Sequence, residues 1–361
     1  MTRFKIFLVC ILHLGVLLTP AWAIELVVWK AHDHVPEMIL PKLDHESPEQ
    51  AVRRYLKFLN ENPDMIKMMN RDRFTVDSLQ IQSVKNFDVK RVEKSFDPTF
   101  LFIANHFDDL KPNDDRIANF FPVMKKKGAH PFLLPVSADG GLSAEDAQDY
   151  RRLVGDTFDV LFGMGGDDVH PKTYRQRITF AHIQDLNITR DQSEILLIQE
   201  YMQRQKGVYY GICRGAQICA VARGEQLVQD LKDEQGVTKP HKSAIHEVDL
   251  KKSDDNLIRA FVGDKDQIGI QSYHHQAVKP REGMHLDIVA SADEGRNFVV
   301  EGYQFKNGLG LAFQFHPELL PEDKDNLAIM QGMVDYAAYV KKQKLLNQNC
   351  TGLIKGFINA R

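Results

Sequence analysis

The stretch GICRGAQ, Gly211 to Gln217, sets a cysteine between an apolar run that reads as a strand and a run that reads as a helix, with glycine two residues before it and two after. G-x-C-x-G at such a junction has the form of a nucleophile elbow, the sharp turn that lifts a reactive side chain above a sheet. Glycines at 211 and 215 remove the side chains that would collide where strand and helix pack closely. Cys213 then opens a helix, where the positive end of the dipole and the nearby N–H groups favour thiolate. The turn is therefore expected to make this thiol both exposed and acidic. The competing reading is a buried cysteine in a tight turn, because cysteine is among the most buried residue types. Cys219, nearly two turns along the same helix, reads as core.

A thiolate nucleophile needs a base that later protonates the leaving group. FQFHPE offers His316 at the end of a strand, with Glu318 two positions on and Pro317 fixing the backbone between them. Glu318 can then turn back and hold the imidazole in one tautomer. A lone histidine would more often be structural, but an ordered His-x-Glu beside an elbow cysteine reads as a base and its orienting acid. Acyl chemistry also needs donors for the developing oxyanion. The N–H of Arg214, next after the nucleophile, is one candidate; Gly165 and Gly166 of GMGGDDVHP supply the other. Ordinary loops contain double glycines too, yet this one follows a strand, where open α/β sheets bind ligands. The chemistry needs no metal ion and no organic cofactor. HDH at His32 to His34 resembles a metal pair, although no matching cluster of further ligands stands out along the chain.

These groups need a scaffold, and the pattern from Pro98 onward supplies one. TFLFIA, PFLLPV, FDVLFGM and VYYGI read as short apolar strands alternating with the helical runs DDRIANFFPVMKKKGA, SAEDAQDYRRLVG, RDQSEILLIQEYMQRQKG and RGAQICAVARG. Such alternation calls for a mainly parallel sheet covered by helices, an α/β class. After Gly224 the strands AIHEVDL, QIGIQSYHHQAV, LDIVASA, NFVVEGYQF and GLAFQFHPE read as a more antiparallel portion, closed by a helix over roughly 323–344. The division is a leader at 1–23, an N-terminal extension with one helix at 24–95, a catalytic domain at 96–345 and a tail at 346–361. The extension's helix is marked by Ser47, Pro48 and Gln50, a capping box ahead of AVRRYLKFL; the rest of it reads as polar and irregular.

Composition limits what the protein handles. With 361 residues, 43% of them hydrophobic, the chain can build a substantial core. A formal net charge of -3 gives no electrostatic footprint for nucleic acid, and a small-molecule partner fits better. Arg3 and Lys5, an apolar run from Ile6 to Leu18 and AWA at 21–23 form a leader pattern, expected to be cleaved after Ala23. The apolar run is shorter than the about 20 residues of a spanning helix, so no stable membrane insertion is expected after cleavage. Cleavage removes Cys10 and leaves three cysteines, so at least one thiol stays unpaired; a Cys219–Cys350 bridge remains open. Oligomeric state is not readable.

Taken together, these residues resemble the class I glutamine amidotransferase-like superfamily, in its gamma-glutamyl hydrolase branch of the gamma-glutamyl-gamma-aminobutyrate hydrolase type. The likeness runs from about Pro98 to Tyr339 and rests on GICRGAQ, GGDDVHP, SYHHQAV and FQFHPE, with RDQSE and VVEGY also fitting. It implies a flavodoxin-like three-layer sandwich and a Cys213, His316, Glu318 triad. It also implies that Gln217, His275 and Gln276 border the pocket for a gamma-glutamyl group, with Gly165 or Gly166 and Arg214 donating backbone N–H; His274 is left structural. His170 and Tyr273 depart from the branch's pattern, which leaves the leaving amine open.

The activity this implies is hydrolysis of gamma-glutamyl amide bonds through a cysteine thioester. Two alternatives stand beside it: a glutaminase subunit feeding ammonia to a separate synthase, and a catalytically silent gamma-glutamyl binding protein. The leader and the Cys-Arg-Gly form point to an exported, periplasmic protein, with secretion as the alternative.

Overall fold

The computed structural model describes residues 24–30, 37–62, 81–104, 115–180, 186–238, 241–294, 297–346 and 352–361. The leader at 1–23, the HDH pair and Cys350 lie outside them. The strands, in chain order, are β1 (Ile24–Lys30), β2 (Met38–Leu43), β3 (Ser83–Asn86), β4 (Thr99–Ile103), β5 (His130–Leu134), β6 (Val160–Gly163), β7 (Val208–Ile212), β8 (Leu227–Val228), β9 (Lys242–Leu250), β10 (Gln267–Tyr273), β11 (Ala277–Val278), β12 (Leu286–Glu294), β13 (Asn297–Phe305) and β14 (Gly310–Phe313). The helices are α1 (Pro48–Glu61), α2 (Val89–Lys94), α3 (Asp115–Lys126), α4 (Ala144–Thr157), α5 (Ile188–Arg204), α6 (Arg214–Ala222), α7 (Leu231–Gln235), α8 (Leu257–Val262), α9 (Lys324–Leu345) and α10 (Leu353–Asn359).

Among the described residues, twelve strands make one sheet in the order β10-β9-β12-β13-β14-β7-β6-β4-β5-β2-β1-β3, and β8 pairs separately with β11. From β14 to β2 every neighbouring pair is parallel; the flanks on both sides are antiparallel. The α/β class with a mainly parallel centre is thus the observed one. Its central strands TFLFI, VLFG, VYYGI and GLAF are buried at every position, as strands covered on both faces must be. The step from β4 to β5 and the return step from β5 to β6 run in opposite directions across the sheet. Right-handed crossovers therefore put α3 on one face and α4 on the other; α9 packs with α3, while α5 packs with α4 and α6 with α5.

The segment 24–95 holds more order than its composition suggests. Its helix carries the capping box, Ser47 Oγ accepting from Gln50 N–H and Gln50 Oε1 accepting from Ser47 N–H. Around it β1, β2 and β3 extend the main sheet instead of forming irregular packing. Two features hide them: β1 (IELVVWK) is buried almost throughout and so lacks alternation, and Pro41 inside β2 argues against a strand. The segment 346–361 likewise ends in α10, which buries Leu353, Ile354 and Phe357; the Phe357 ring lies 5.0 Å from that of Tyr336. QIGIQSYHHQAV is two strands, because the chain leaves the sheet at 274–276 between β10 and β11.

The junction of β7 and α6 is the tightest place in the fold. Gly163 and Gly211 stand opposite each other in the β6–β7 ladder. A Cβ on Gly211 would lie 2.7 Å from the carbonyl carbon of Gly215, and one on Gly215 would overlap the carbonyl of Gly163. The colliding atoms are backbone, so nothing flexible can yield. Gly215→Ala is expected to cost roughly 2–3 kcal/mol, seen as a lower urea midpoint at an unchanged m-value; an unmoved midpoint would contradict this account of the elbow.

Candidate active site

Neighbouring strands lie about 4.8 Å apart, so residues that follow β6, β7 and β14, three adjacent parallel strands, meet above one edge of the sheet. Those residues are Gly165, Cys213 and His316. Cys213 N–H donates to Phe313 O at 2.7 Å, and the residue adopts φ 51°, ψ -110°. Side chains other than glycine seldom take such a backbone conformation, and strain of this kind concentrates at functional positions.

His316 lies beside the sulfur. Its N–H donates to Gln271 O at 2.9 Å, and the short turn Pro317–Leu319 swings Glu318 back so that Oε1 sits 2.7 Å from His316 Nδ1. Asn119 Nδ2 pins the turn by donating to Glu318 O at 2.7 Å. Glu318 is 1% exposed. Burial lowers the His316 pKa, but the Glu318 carboxylate and the hydrogen-bonded Cys213 sulfur outweigh it and push the value up to about 10. The ring is held protonated at neutral pH, with Glu318 fixing the Nδ1 side. A Cβ on Gly165 would come within 3.0 Å of His316 Cε1 and 3.6 Å of Cys213 Cβ; a side chain there would wedge between the two. Gly166 follows it, half-buried in the same loop.

The expectation of an openly exposed thiol needs correcting. Cys213 is 6% exposed, because the Gly165 loop and the backbone of Tyr273 close over it; Sγ lies 3.8 Å from Tyr273 O. Cys219 is fully buried, and burial pushes its thiol up to about 12.

The Arg214 side chain, 1% exposed, points into α5. Nη1 donates to Glu194 Oε2 and Nη2 to Asp191 Oδ1, each at 2.6 Å. Arg190 packs alongside, 3.4 Å from Asp191 and 3.6 Å from Asp167. Burial opposes the charge on Arg214, but Glu194 and Asp191 more than restore it and the pKa rises; for Arg190, burial and Arg214 together pull it down. Arg214 thus ties the first turn of α6 to α5 through its guanidinium, and only its backbone remains next to the sulfur.

Gln217 and Gln276 come together but are buried. Gln217 Nε2 donates to Gln276 O at 3.2 Å and Gln276 Nε2 to Gln229 O at 3.1 Å, so they brace the chain where it leaves β10. His275 is half-buried and set between two acids, Nε2 3.1 Å from Asp168 Oδ1 and Nδ1 3.3 Å from Asp230 Oδ2. Burial lowers its pKa, while Asp168 and then Asp230 raise it further, so the net shift is upward. His274 turns the other way, into the protein. Of the acids that organise the site, Asp168 lies in GGDDVHP and Asp191 and Glu194 in RDQSE, motifs quoted above with no role for these residues, and Asp230 lies in none of them. Asp191 and Glu194 stand at i,i+3 on α5, a spacing that puts both on one helix face.

Residues 104–318 match the Peptidase C26 family. Protein NtpR of Enterococcus hirae is 30% identical over 227 residues, which span 60% of this chain and 85% of that protein. A putative glutamine amidotransferase of Schizosaccharomyces pombe is 26% identical over 205 residues, 55% of this chain and 78% of that one. The crystal structure of a glutamine amidotransferase from Thermotoga maritima aligns with a TM-score of 0.41 at 14% identity, covering 73% of this chain and 97% of that one.

The His316 geometry has a measurable consequence. The ring titrates near 6.5 in the unfolded chain and at about 10 in the fold, so folding takes up a proton between those values. The stability this adds is complete below about pH 6.5 and is lost as pH rises toward 10. His316→Gln is expected to flatten that decline in urea unfolding and to slow iodoacetamide alkylation of Cys213 at neutral pH by about tenfold or more; parallel stability curves for the two proteins would refute it.

Proposed function

The chain belongs to the Peptidase C26 family, and from that premise we propose that it hydrolyses gamma-glutamyl amide bonds through a thioester on Cys213. The observation that carries the reading is the ordered contact of Cys213 with His316 and of His316 Nδ1 with Glu318 at 2.7 Å. In the first half-reaction the Cys213 sulfur attacks the side-chain carbonyl carbon. A C–S bond forms and the carbonyl electrons move onto oxygen, where the N–H groups of Arg214 and of Gly165 or Gly166 would receive the charge. His316 gives its proton to the departing amine nitrogen as the C–N bond breaks. In the second, water attacks the thioester, His316 takes the water's proton, the C–S bond breaks and glutamate leaves. Glu318 holds the imidazole orientation through both. His275, held between Asp168 and Asp230, would place polar and charged groups where the alpha-amino or alpha-carboxyl end of the glutamyl group could be read.

A second reading has the same acyl chemistry with ammonia as the leaving group, delivered to a partner enzyme. The amidotransferase description of the Schizosaccharomyces pombe relative favours it. The leader pattern at 1–23 supports the hydrolytic form, since an exported protein would meet gamma-glutamyl peptides, polyglutamylated compounds or peptidoglycan stems. Small-molecule amides of this kind are the proposed partners.

Product analysis by mass spectrometry on a panel of gamma-glutamyl amides and free glutamine tests the proposal. Turnover of the amides is expected, falling about 10⁴-fold or more in Cys213→Ala. Turnover of glutamine alone, stimulated by a co-purifying protein, would favour the amidotransferase reading. Binding of the amides without turnover and without alkylation of Cys213 would sink both.

A further inference from the structure

Glu301 lies on β13 with no exposure to solvent, and three histidines from separate parts of the chain converge on it. Its Oε1 is 3.0 Å from His241 Nδ1, 3.5 Å from His274 Nε2 and 3.8 Å from His246 Nε2. His241 precedes β9, His246 lies on β9 and His274 follows β10. The ligating atoms of His241, His246 and Glu301 all fall within 4.8 Å of one another. Donors around a tetrahedral ion with bonds of about 2.1 Å stand about 3.4 Å apart, close to the three separations from Glu301 Oε1; His274 stands outside the mutually close group of three and would move inward to complete the set.

Proton placement sharpens the case. His274 Nδ1 is 2.9 Å from Gln276 O and His246 Nδ1 is 3.1 Å from Glu247 O. A carbonyl only accepts, so each Nδ1 carries the hydrogen, and a ring with no second proton turns an Nε2 lone pair toward the carboxylate. A carbonyl behind the far ring nitrogen is also the usual support of a metal-bound imidazole. His274 Nε2 and both Glu301 oxygens are buried, and their nearest polar neighbours are one another and the His241 ring, whose Nδ1 stands 3.0 Å from Glu301 Oε1. Lone pairs aimed at a buried carboxylate repel it unless a proton or a metal cation sits among them. The Ser272 hydroxyl, 2.7 Å from His246 Nε2, is the one competing donor to these two Nε2 atoms among the described residues and can rotate away.

We propose that His241, His246, Glu301 and His274 form a closed site for one divalent transition-metal ion, with Zn²⁺ favoured by its nitrogen and oxygen donors. The ion would be structural. β9 pairs with β12 only at Ala290 and Ser291, and the metal joins the β9–β10 hairpin to β13 where that ladder stops. Through His274 it would also fix the chain between Tyr273, whose carbonyl meets Cys213 Sγ, and His275. The thioester chemistry does not pass through it, so the site stands or falls apart from the catalytic reading.

Elemental analysis and Co²⁺ spectroscopy of the full chain test this. Wild type and Cys213→Ala, freed of metal with a chelator and then given Zn²⁺, are expected to take up about one equivalent with a rise in Tm, and Co²⁺ is expected to give the visible bands of a four-coordinate site in both. His246→Ala and Glu301→Gln are expected to lose the bands and retain under about a tenth of an equivalent. Failure of wild type to take up Zn²⁺, or undiminished uptake in both ligand variants, would overturn the proposal; if neither variant folds, the wild-type titration and the Cys213→Ala control decide.

Discussion

Everything at the Cys213 edge of the sheet depends on how closely α6 approaches β6. Gly163, Gly211 and Gly215 let three backbone segments touch without side chains between them, and that contact forces the chain to turn at Cys213 with φ 51°. The positive φ is therefore a product of packing, imposed by neighbours that cannot move. Cys213 N–H still reaches Phe313 O, so the last rung of the β7–β14 ladder and the first turn of α6 share one residue. A sulfur held from both sides has little freedom to leave the line of its histidine.

Buried charge does the rest of the positioning. Arg214, Arg190, Asp167, Asp191 and Glu194 form a network in which each cation faces at least one anion. Removing one member would leave an uncompensated charge in a nearly dry interior, which commonly costs about 3–5 kcal/mol, even though assembling the whole set stabilises little. Its role is orientation: it fixes the pitch of α6 against α5. The Glu318 carboxylate acts on the same principle at His316, where one short contact sets both ring orientation and charge.

The sequence made the parallel centre legible because buried apolar runs and capped amphipathic helices alternate there, and Cys213, Gly165 and His316 each end or follow such a strand. The outlying strands were harder. β1 has no alternation and β2 contains a proline, so local pattern argues against what tertiary pairing enforces. Beyond the pairing of Cys213 with His316, partnerships between distant residues were not readable. Nothing near Asp168 or Asp230 announces His275, and His241, His246, His274 and Glu301 have no spacing that would betray a common centre. Gln217 and Gln276 illustrate the converse: their motif positions mark the neighbourhood, but burial commits their amides to the backbone carbonyls of Gln276 and Gln229.

The strands before residue 96 do more than lengthen the sheet. β2 meets β5 at a single register pair, Met38 with Leu133, and the joint is secured by side chains and by α1, whose Tyr55 hydroxyl donates to Val136 O at 2.8 Å. Stripped of this flap, β5 would present a row of open peptide groups to any passing extended chain. The hairpin thus serves as a selvedge, a bound margin that keeps the fabric of the central sheet from being stitched to a neighbour's.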